Sequence, residues 1–202
     1  MRPDDIYQTL ARPSAEILYK EKNSKFFGYA FPVTTEDEVK NHLEQLRKQH
    51  PGAVHFCYAW QMGTDKTTHR ANDDGEPSNS AGMPIYGQIQ SFNVTNVLIV
   101  IVRFFGGVKL GVGGLISAYR TAAQMALEQS EIVERTIDMH YLLSFDYKNM
   151  NKVMRVIKEK NLVIVDQKME LDCEIKIATR KKDAAAVVAS FEAIFGVAVK
   201  PA

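Results

Sequence analysis

The chain has 202 residues, 46% hydrophobic and 24% charged, with a formal net charge of +1. These are the proportions of an ordinary globular protein with room for one core or two modest ones, and the near-neutral balance excludes a global attraction to nucleic acid or anionic membrane, leaving any such binding to a local patch. No apolar stretch approaches the ~20 residues that span a bilayer, the opening Met1–Ile6 lacks the apolar centre of a signal peptide, and the two cysteines, Cys57 and Cys173, share no motif, so a cytoplasmic protein with reduced thiols is expected.

In chain order, Glu16–Glu21 and Lys25–Phe31 have the composition of short strands joined by the polar turn Lys22–Ser24. Thr35-Glu-Asp-Glu38 has the form of a capping box, in which the Thr hydroxyl bonds the amide three residues on and the Glu reaches back. The helix it opens places Val39, Leu43, Leu46 and His50 along one stripe, and Pro51-Gly52 ends it. Ala53–Gln61 is a strand rich in aromatic residues, followed by a strand over Thr67–Asn72. Asp73–Pro84 has too much Gly, Pro, Ser and Asn for regular structure, with a helix beginning near Ser80. Asn96–Phe105 is the most apolar strand. From Gly113 to Ser130 the spacing is helical, with Leu115, Ala118, Tyr119, Ala122 and Ala126 on one face.

Glu131–His140 is charged and glycine-free, and is taken as a domain junction, giving domains over 1–134 and 135–202. The second domain is expected to run strand (Met139–Tyr147), helix (Asn149–Lys160), two strands around Asp166–Lys168, helix (Lys181–Phe195) and strand (Val197–Val199). That βαββαβ order is the ferredoxin-like pattern. The fold class expected is therefore α+β.

Three constellations carry chemistry. The first packs five glycines into Gly106–Gly114 (Gly106, Gly107, Gly111, Gly113 and Gly114), after the apolar strand and before a helix, with Arg103 and Lys109 close by. It is no Walker A loop, because Val112-Gly113 stands where Lys-Ser/Thr is required, and it contains no dinucleotide fingerprint. What remains is a set of backbone amides at a helix N-terminus with two cations, which suits an anion; the alternative is a tight crossover with close helix–sheet packing. The second is Asp73-Asp-Gly-Glu-Pro-Ser78. Its carboxylates lack the spacing of a calcium loop, so no metal site is expected. Asp73, Asp74 and Glu76 can instead organise the glycine loop by pairing with Arg103 or Lys109, or form a solvated turn with Ser78 or Ser80 as a helix cap. The third is His55-Phe-Cys57. Period two puts both residues on one strand face, either as an activated thiolate or, the commoner case, as core. A weaker basic face is expected on the helix Asn149–Lys160, where Met150, Val153, Met154 and Ile157 form the buried stripe. Lys152, Arg155 and Lys160 then face outward, near Arg180-Lys-Lys182.

Asp73-Asp-Gly-Glu-Pro-Ser78 with Ala81-Gly-Met-Pro84, then Arg103-Phe-Phe-Gly-Gly-Val-Lys-Leu-Gly-Val-Gly-Gly-Leu115 and Ala118-Tyr119, resemble the signature of the IMPACT/YigZ family. Glu21-Lys-Asn-Ser-Lys-Phe26 and His55-x-Cys57 fit the same pattern. The motifs span roughly residues 15–130, and the domain order that follows is that of bacterial, YigZ-like members. Two positions depart from the pattern. Asn79-Ser80 stands where Gly-Thr is common, and Ser117 where Arg is common, which removes a cation from the glycine-loop helix. The resemblance implies an N-terminal α+β domain similar to domain IV of elongation factor G and to a ribosomal small-subunit protein. It also implies a ferredoxin-like C-terminal domain similar to the last domain of that factor. The resemblance also implies eukaryotic relatives that regulate translation initiation through a stress-kinase pathway, partly by a different N-terminal domain that is not expected in this chain, so that mechanism is not expected to carry over.

The function expected is a translation-associated binding or regulatory protein acting on RNA, the ribosome or a ribosomal factor, with no cofactor, dinucleotide or membrane. Arg103, Lys109 and the glycine-loop amides would contact phosphate, with Lys152 and Arg155 as a weaker second contact. Asp73, Asp74, Glu76, Ser78 and His55 would organise the cleft. The alternatives are an enzyme acting on a small phosphorylated or carboxylated substrate, with Asp74 or Glu76 as acid or base, and a protein-interaction module. The oligomeric state is left open.

Overall fold

The computed structural model describes residues 5–202, so most of the polar opening segment lies outside the described residues. Contacts divide the chain into two compact units, Tyr7–Arg135 on one hand and Thr136–Ala202 with Asp5 and Ile6 on the other. Asp5 accompanies the C-terminal unit because its backbone carbonyl accepts the Ile137 N–H and its carboxylate pairs with Arg180 at 2.7 Å.

The larger unit is built on a five-stranded antiparallel sheet. Its strands are β2 (Ile17–Glu21), β3 (Ser24–Pro32), β4 (His55–Met62), β5 (Thr68–Asn72) and β6 (Val97–Phe104), in the spatial order β2-β3-β6-β4-β5. The central strand β6 explains its own sequence. Leu98, Val100 and Val102 face one layer and Val97, Ile99 and Ile101 the other, all fully buried, so the run shows no polar alternation. Helix α1 (Glu36–Gln49) packs Val39 and Leu46 on the first face. Helices α2 (Gly82–Ser91) and α3 (Gly111–Glu128) cover the second, where Leu115, Ala118, Tyr119, Ala122 and Ala126 are buried as their spacing predicts. The capping box at Thr35 is formed in both directions. The Thr34 and Thr35 amides on the Glu38 carboxylate hold its pKa below the ordinary value.

Two short strands escaped the sequence reading. β1 (Ile6–Leu10) pairs with β7 (Ile132–Thr136), and β7 lies within the segment taken for a junction. Each is only five residues long, and its partner lies more than a hundred residues away, so no local pattern announces the pairing.

The C-terminal unit runs β8 (Asp138–Asp146), α4 (Met150–Glu159), β9 (Val163–Lys168), β10 (Asp172–Arg180), α5 (Ala184–Glu192) and β11 (Val197–Pro201). Its sheet is antiparallel throughout, in the order β11-β8-β10-β9. Leu143, Phe145, Ile175 and Ile177 of the sheet form one core with Val153 and Ile157 of α4 and Val187 and Phe191 of α5. One member of the expected α4 stripe is displaced: Met154 is exposed, because Val153 and Ile157 with the partly buried Met150 already fill the face towards the sheet. Among the described residues, no helix is long and apolar enough to cross a membrane.

Candidate functional site

The alternation that buries Val97, Ile99 and Ile101 under α3 carries Arg103 onto the same face at the end of β6. Its register partners are Phe26 on β3 and His55 on β4. The guanidinium is therefore not a free cation. Only 5% of Arg103 is exposed, and Nη1 donates to Glu76 Oε1 at 2.5 Å. The same Oε1 accepts the Tyr119 hydroxyl at 2.7 Å and lies 3.8 Å from His55 Nε2. Nη2 is 3.4 Å from Ser24 Oγ, which also accepts the Gly106 N–H at 3.2 Å. The guanidinium carbon sits 5.5 Å from the Phe26 ring centre and 5.6 Å from that of Phe105. The charge of Arg103, expected to face a phosphate, is compensated by a buried carboxylate.

The acidic motif divides its labour. Asp73 is a helix-capping group. Its Oδ1 accepts the Ala81 and Gly82 amides at 2.9 and 2.8 Å and its Oδ2 the Asn79 amide at 2.8 Å, so it satisfies orphan donors at the start of α2. The cap expected from Ser78 or Ser80 is thus supplied from upstream. Ser78 is exposed, and Ser80 is buried with its hydroxyl donating to the Pro77 carbonyl. Asp74, at φ +41°, clamps the loop to β4: Oδ2 accepts the Phe56 N–H at 2.7 Å and its carbonyl accepts from His55 Nδ1 at 2.7 Å. That last bond requires Nδ1 to carry the proton, since a carbonyl only accepts. Asp74 Oδ1 pairs with the half-exposed Arg47 at 3.3 Å. Both carboxylates of the enzymatic alternative are therefore engaged by partners within the protein.

Cys57 and His55 share a strand face, but they form no nucleophile pair. The Cys57 Sγ lies 3.0 Å from the Asp73 carbonyl and 3.3 Å from the Tyr119 hydroxyl, and burial pushes its pKa far up, assisted by the nearby carboxylates of Glu76, Asp74 and Asp73. The thiol is core. Burial likewise pushes the Tyr119 hydroxyl up, so it stays a proton donor to Glu76. Tyr119 is the site residue the sequence reading missed, having been assigned to the apolar stripe of α3. The usable signal was that a buried tyrosine hydroxyl demands a partner.

The glycines have different jobs. A Cβ on Gly106 would stand 2.1 Å from the Asn23 carbonyl carbon, so this glycine lets the loop pass over the β2–β3 turn. Gly107 and Gly111 adopt φ of +84° and +73°. A Cβ on Gly114 would stand 3.1 Å from the Leu110 side chain, while one on Gly113 would meet nothing within 4 Å. Helix α3 begins at Gly111 without a side-chain cap and without an acidic residue in its first turn. Beside this end lies a cleft of about 350 Å³ with Glu76, Arg103 and Lys109 as its charged lining and Phe105, Val112 and Leu115 among its apolar lining. Glu76 and the glycine loop thus meet in one place, whereas the Asp73 and Asp74 carboxylates do not line it. Lys109 is exposed and has no ion-pair partner among the described residues. Lys152 and Arg155 belong to the other unit, exposed on α4, with Arg155 3.8 Å from Glu159.

These features define a mixed α/β protein whose signature loops are locked together by a buried Arg–Glu–Tyr cluster at one end of a sheet. Residues 22–127 match the Impact N-terminal domain, more than half of the chain, and the chain belongs to that family. It is 31% identical to IMPACT family member YvyE of Bacillus subtilis (strain 168), over 88% of this chain and 81% of that one. It is 29% identical to IMPACT family member YigZ of Escherichia coli (strain K12), over 90% and 89% of the two chains. A crystal structure described as that of a hypothetical protein is 25% identical, covers 98% of both chains and superposes with a TM-score of 0.77.

Proposed function

We propose that this protein is a cytoplasmic, translation-associated binding or regulatory factor that contacts RNA, the ribosome or a ribosomal factor through the cleft beside α3. The translational context comes from family membership and from what the motifs imply for eukaryotic members. In the same reading, the N-terminal domain (1–134) is of the elongation factor G domain IV type and the C-terminal domain (135–202) is ferredoxin-like. The βαββαβ succession and the strand order β11-β8-β10-β9 support the latter assignment.

The observation that carries the phosphate reading is the uncapped, acid-free N-terminus of an 18-residue helix beside the unpaired Lys109. Four orphan amides and the positive end of the helix dipole favour an anion there. Glu76 does not oppose this, since Arg103 compensates it within the wall. Arg103 then acts as a positioning residue, tying the acidic loop to the sheet under the glycine loop. The test is Lys109→Ala, with RNA or ribosome binding measured against salt concentration. The expected result is roughly tenfold weaker binding at low salt and a salt slope smaller by about one unit. Unaltered affinity and slope, with the melting temperature intact, would remove the loop from the contact and leave its glycines as packing.

A further inference from the structure

We propose that the cleft holds a single unpaired nucleotide of an RNA strand, its base stacked on Phe105 and its phosphate on Lys109 and the first-turn amides of α3. This rests on the phosphate reading above and names the ligand class of the same site.

Phe105 follows directly on a strand whose residues from Val97 to Arg103 are all buried, yet 49% of it is exposed. Val112, 53% exposed, shares the lining of the cleft with it. A half-exposed ring at the mouth of a cleft, with a lysine a few residues on, is the pairing that single-stranded nucleic-acid sites use: a flat apolar platform for the base and a cation for the backbone. The ring lies 5.6 Å from the guanidinium of Arg103, a residue that lines this cleft, and the Arg103 Nε is fully buried with no acceptor. Nη1 and Nη2 each have one partner, so Nε is the guanidinium nitrogen with none. A buried unpaired donor is costly unless a ligand acceptor completes it, and nucleobases carry carbonyl oxygens and ring nitrogens at their edges.

Two further features select the form of the ligand. Gly111, the first residue of α3, lines the cleft, and a Cβ there would meet nothing within 4 Å, so no side chain of its own stands between the cleft and the first-turn amides. The cleft volume of about 350 Å³ is at the lower end of small-ligand sites, enough for one nucleotide unit and far too little for a duplex. Bases within a duplex have no free face to offer Phe105. The loop has neither a Lys-Ser/Thr end nor a dinucleotide glycine pattern, which separates a strand from a nucleotide cofactor.

The test uses the full chain and a fluorescein-labelled oligouridylate of about 12 nucleotides, followed by anisotropy, with its duplex and with free UMP as competitors. The expected result is preference for the single strand. Phe105→Leu should weaken it about tenfold with the salt slope unchanged, whereas Lys109→Ala reduces the slope. Melting temperatures of both variants should match that of the parent, since both positions are exposed. Equal binding of strand and duplex, with Phe105→Leu indistinguishable from the parent, would overturn stacking while leaving the phosphate contact in place. Free UMP competing as well as the oligomer would overturn the strand in favour of a nucleotide ligand. Absence of any salt-dependent RNA binding by the parent would remove the underlying reading itself.

Discussion

Removing the Glu76 carboxylate by Glu76→Ala tests whether the Arg103 guanidinium depends on a buried counter-charge. The two side chains are 4% and 6% exposed, so water cannot replace the lost counter-charge. Orphaning one partner of such a pair costs about 3–5 kcal/mol, and the Tyr119 hydroxyl, deprived of its acceptor, adds about 1–3 kcal/mol. The Arg47–Asp74 pair is the internal control. With side chains 51% and 29% exposed and a separation of 3.3 Å, its loss in Arg47→Ala should cost less than about 1 kcal/mol. Replacing both partners with apolar groups of similar shape, Glu76→Leu with Arg103→Met, should restore much of the loss, because no charge is then stranded. The assay is urea unfolding followed by the fluorescence of Trp60, the single tryptophan, which is buried in the unit that carries the site. A loss below about 1 kcal/mol in Glu76→Ala would refute the buried-pair argument.

Other substitutions separate the glycines and test the caps. Gly106→Ala should lower the melting temperature sharply, since its Cβ would overlap the Asn23 backbone, whereas Gly113→Ala should leave it unchanged or raise it by gaining up to about 1 kcal/mol of helix propensity; equal effects of the two on stability would contradict this. Asp73→Ala, which frees three amides at the start of α2, should cost about 2 kcal/mol in denaturant unfolding, and a neutral result would show the cap to be dispensable. The Cys57 thiol, raised by burial, should resist alkylation at mildly alkaline pH until urea is added, as read by mass spectrometry of the peptide. Because its folded pKa lies above the unfolded value, the stability it contributes is complete below the unfolded pKa of about 8.5 and declines as pH rises beyond it. Fast native alkylation would mean that the pocket around Tyr119 opens.

What the sequence determined by itself was whatever is written within a few residues. The Thr35/Glu38 box, the α3 stripe and the uninterrupted apolar run of β6 follow from local hydrogen-bond geometry and periodicity, and each was legible with its boundaries off by only a residue or two. The motifs also marked the right neighbourhood, because the acidic loop and the glycine loop do meet. Their individual roles were decided by the tertiary structure. Asp73 caps amides up to nine residues downstream, and Glu76 and Tyr119 are joined across 43 positions. Arg103 is the sharpest case. A cation at the end of a buried strand is a surface ligand group or a buried partner depending only on what covers that face, and here Glu76, Tyr119 and Phe26 cover it. Charge and periodicity are properties of the chain, but burial is a property of the assembled layers, and burial decides whether a charge is free to meet a ligand or must be paired within the fold.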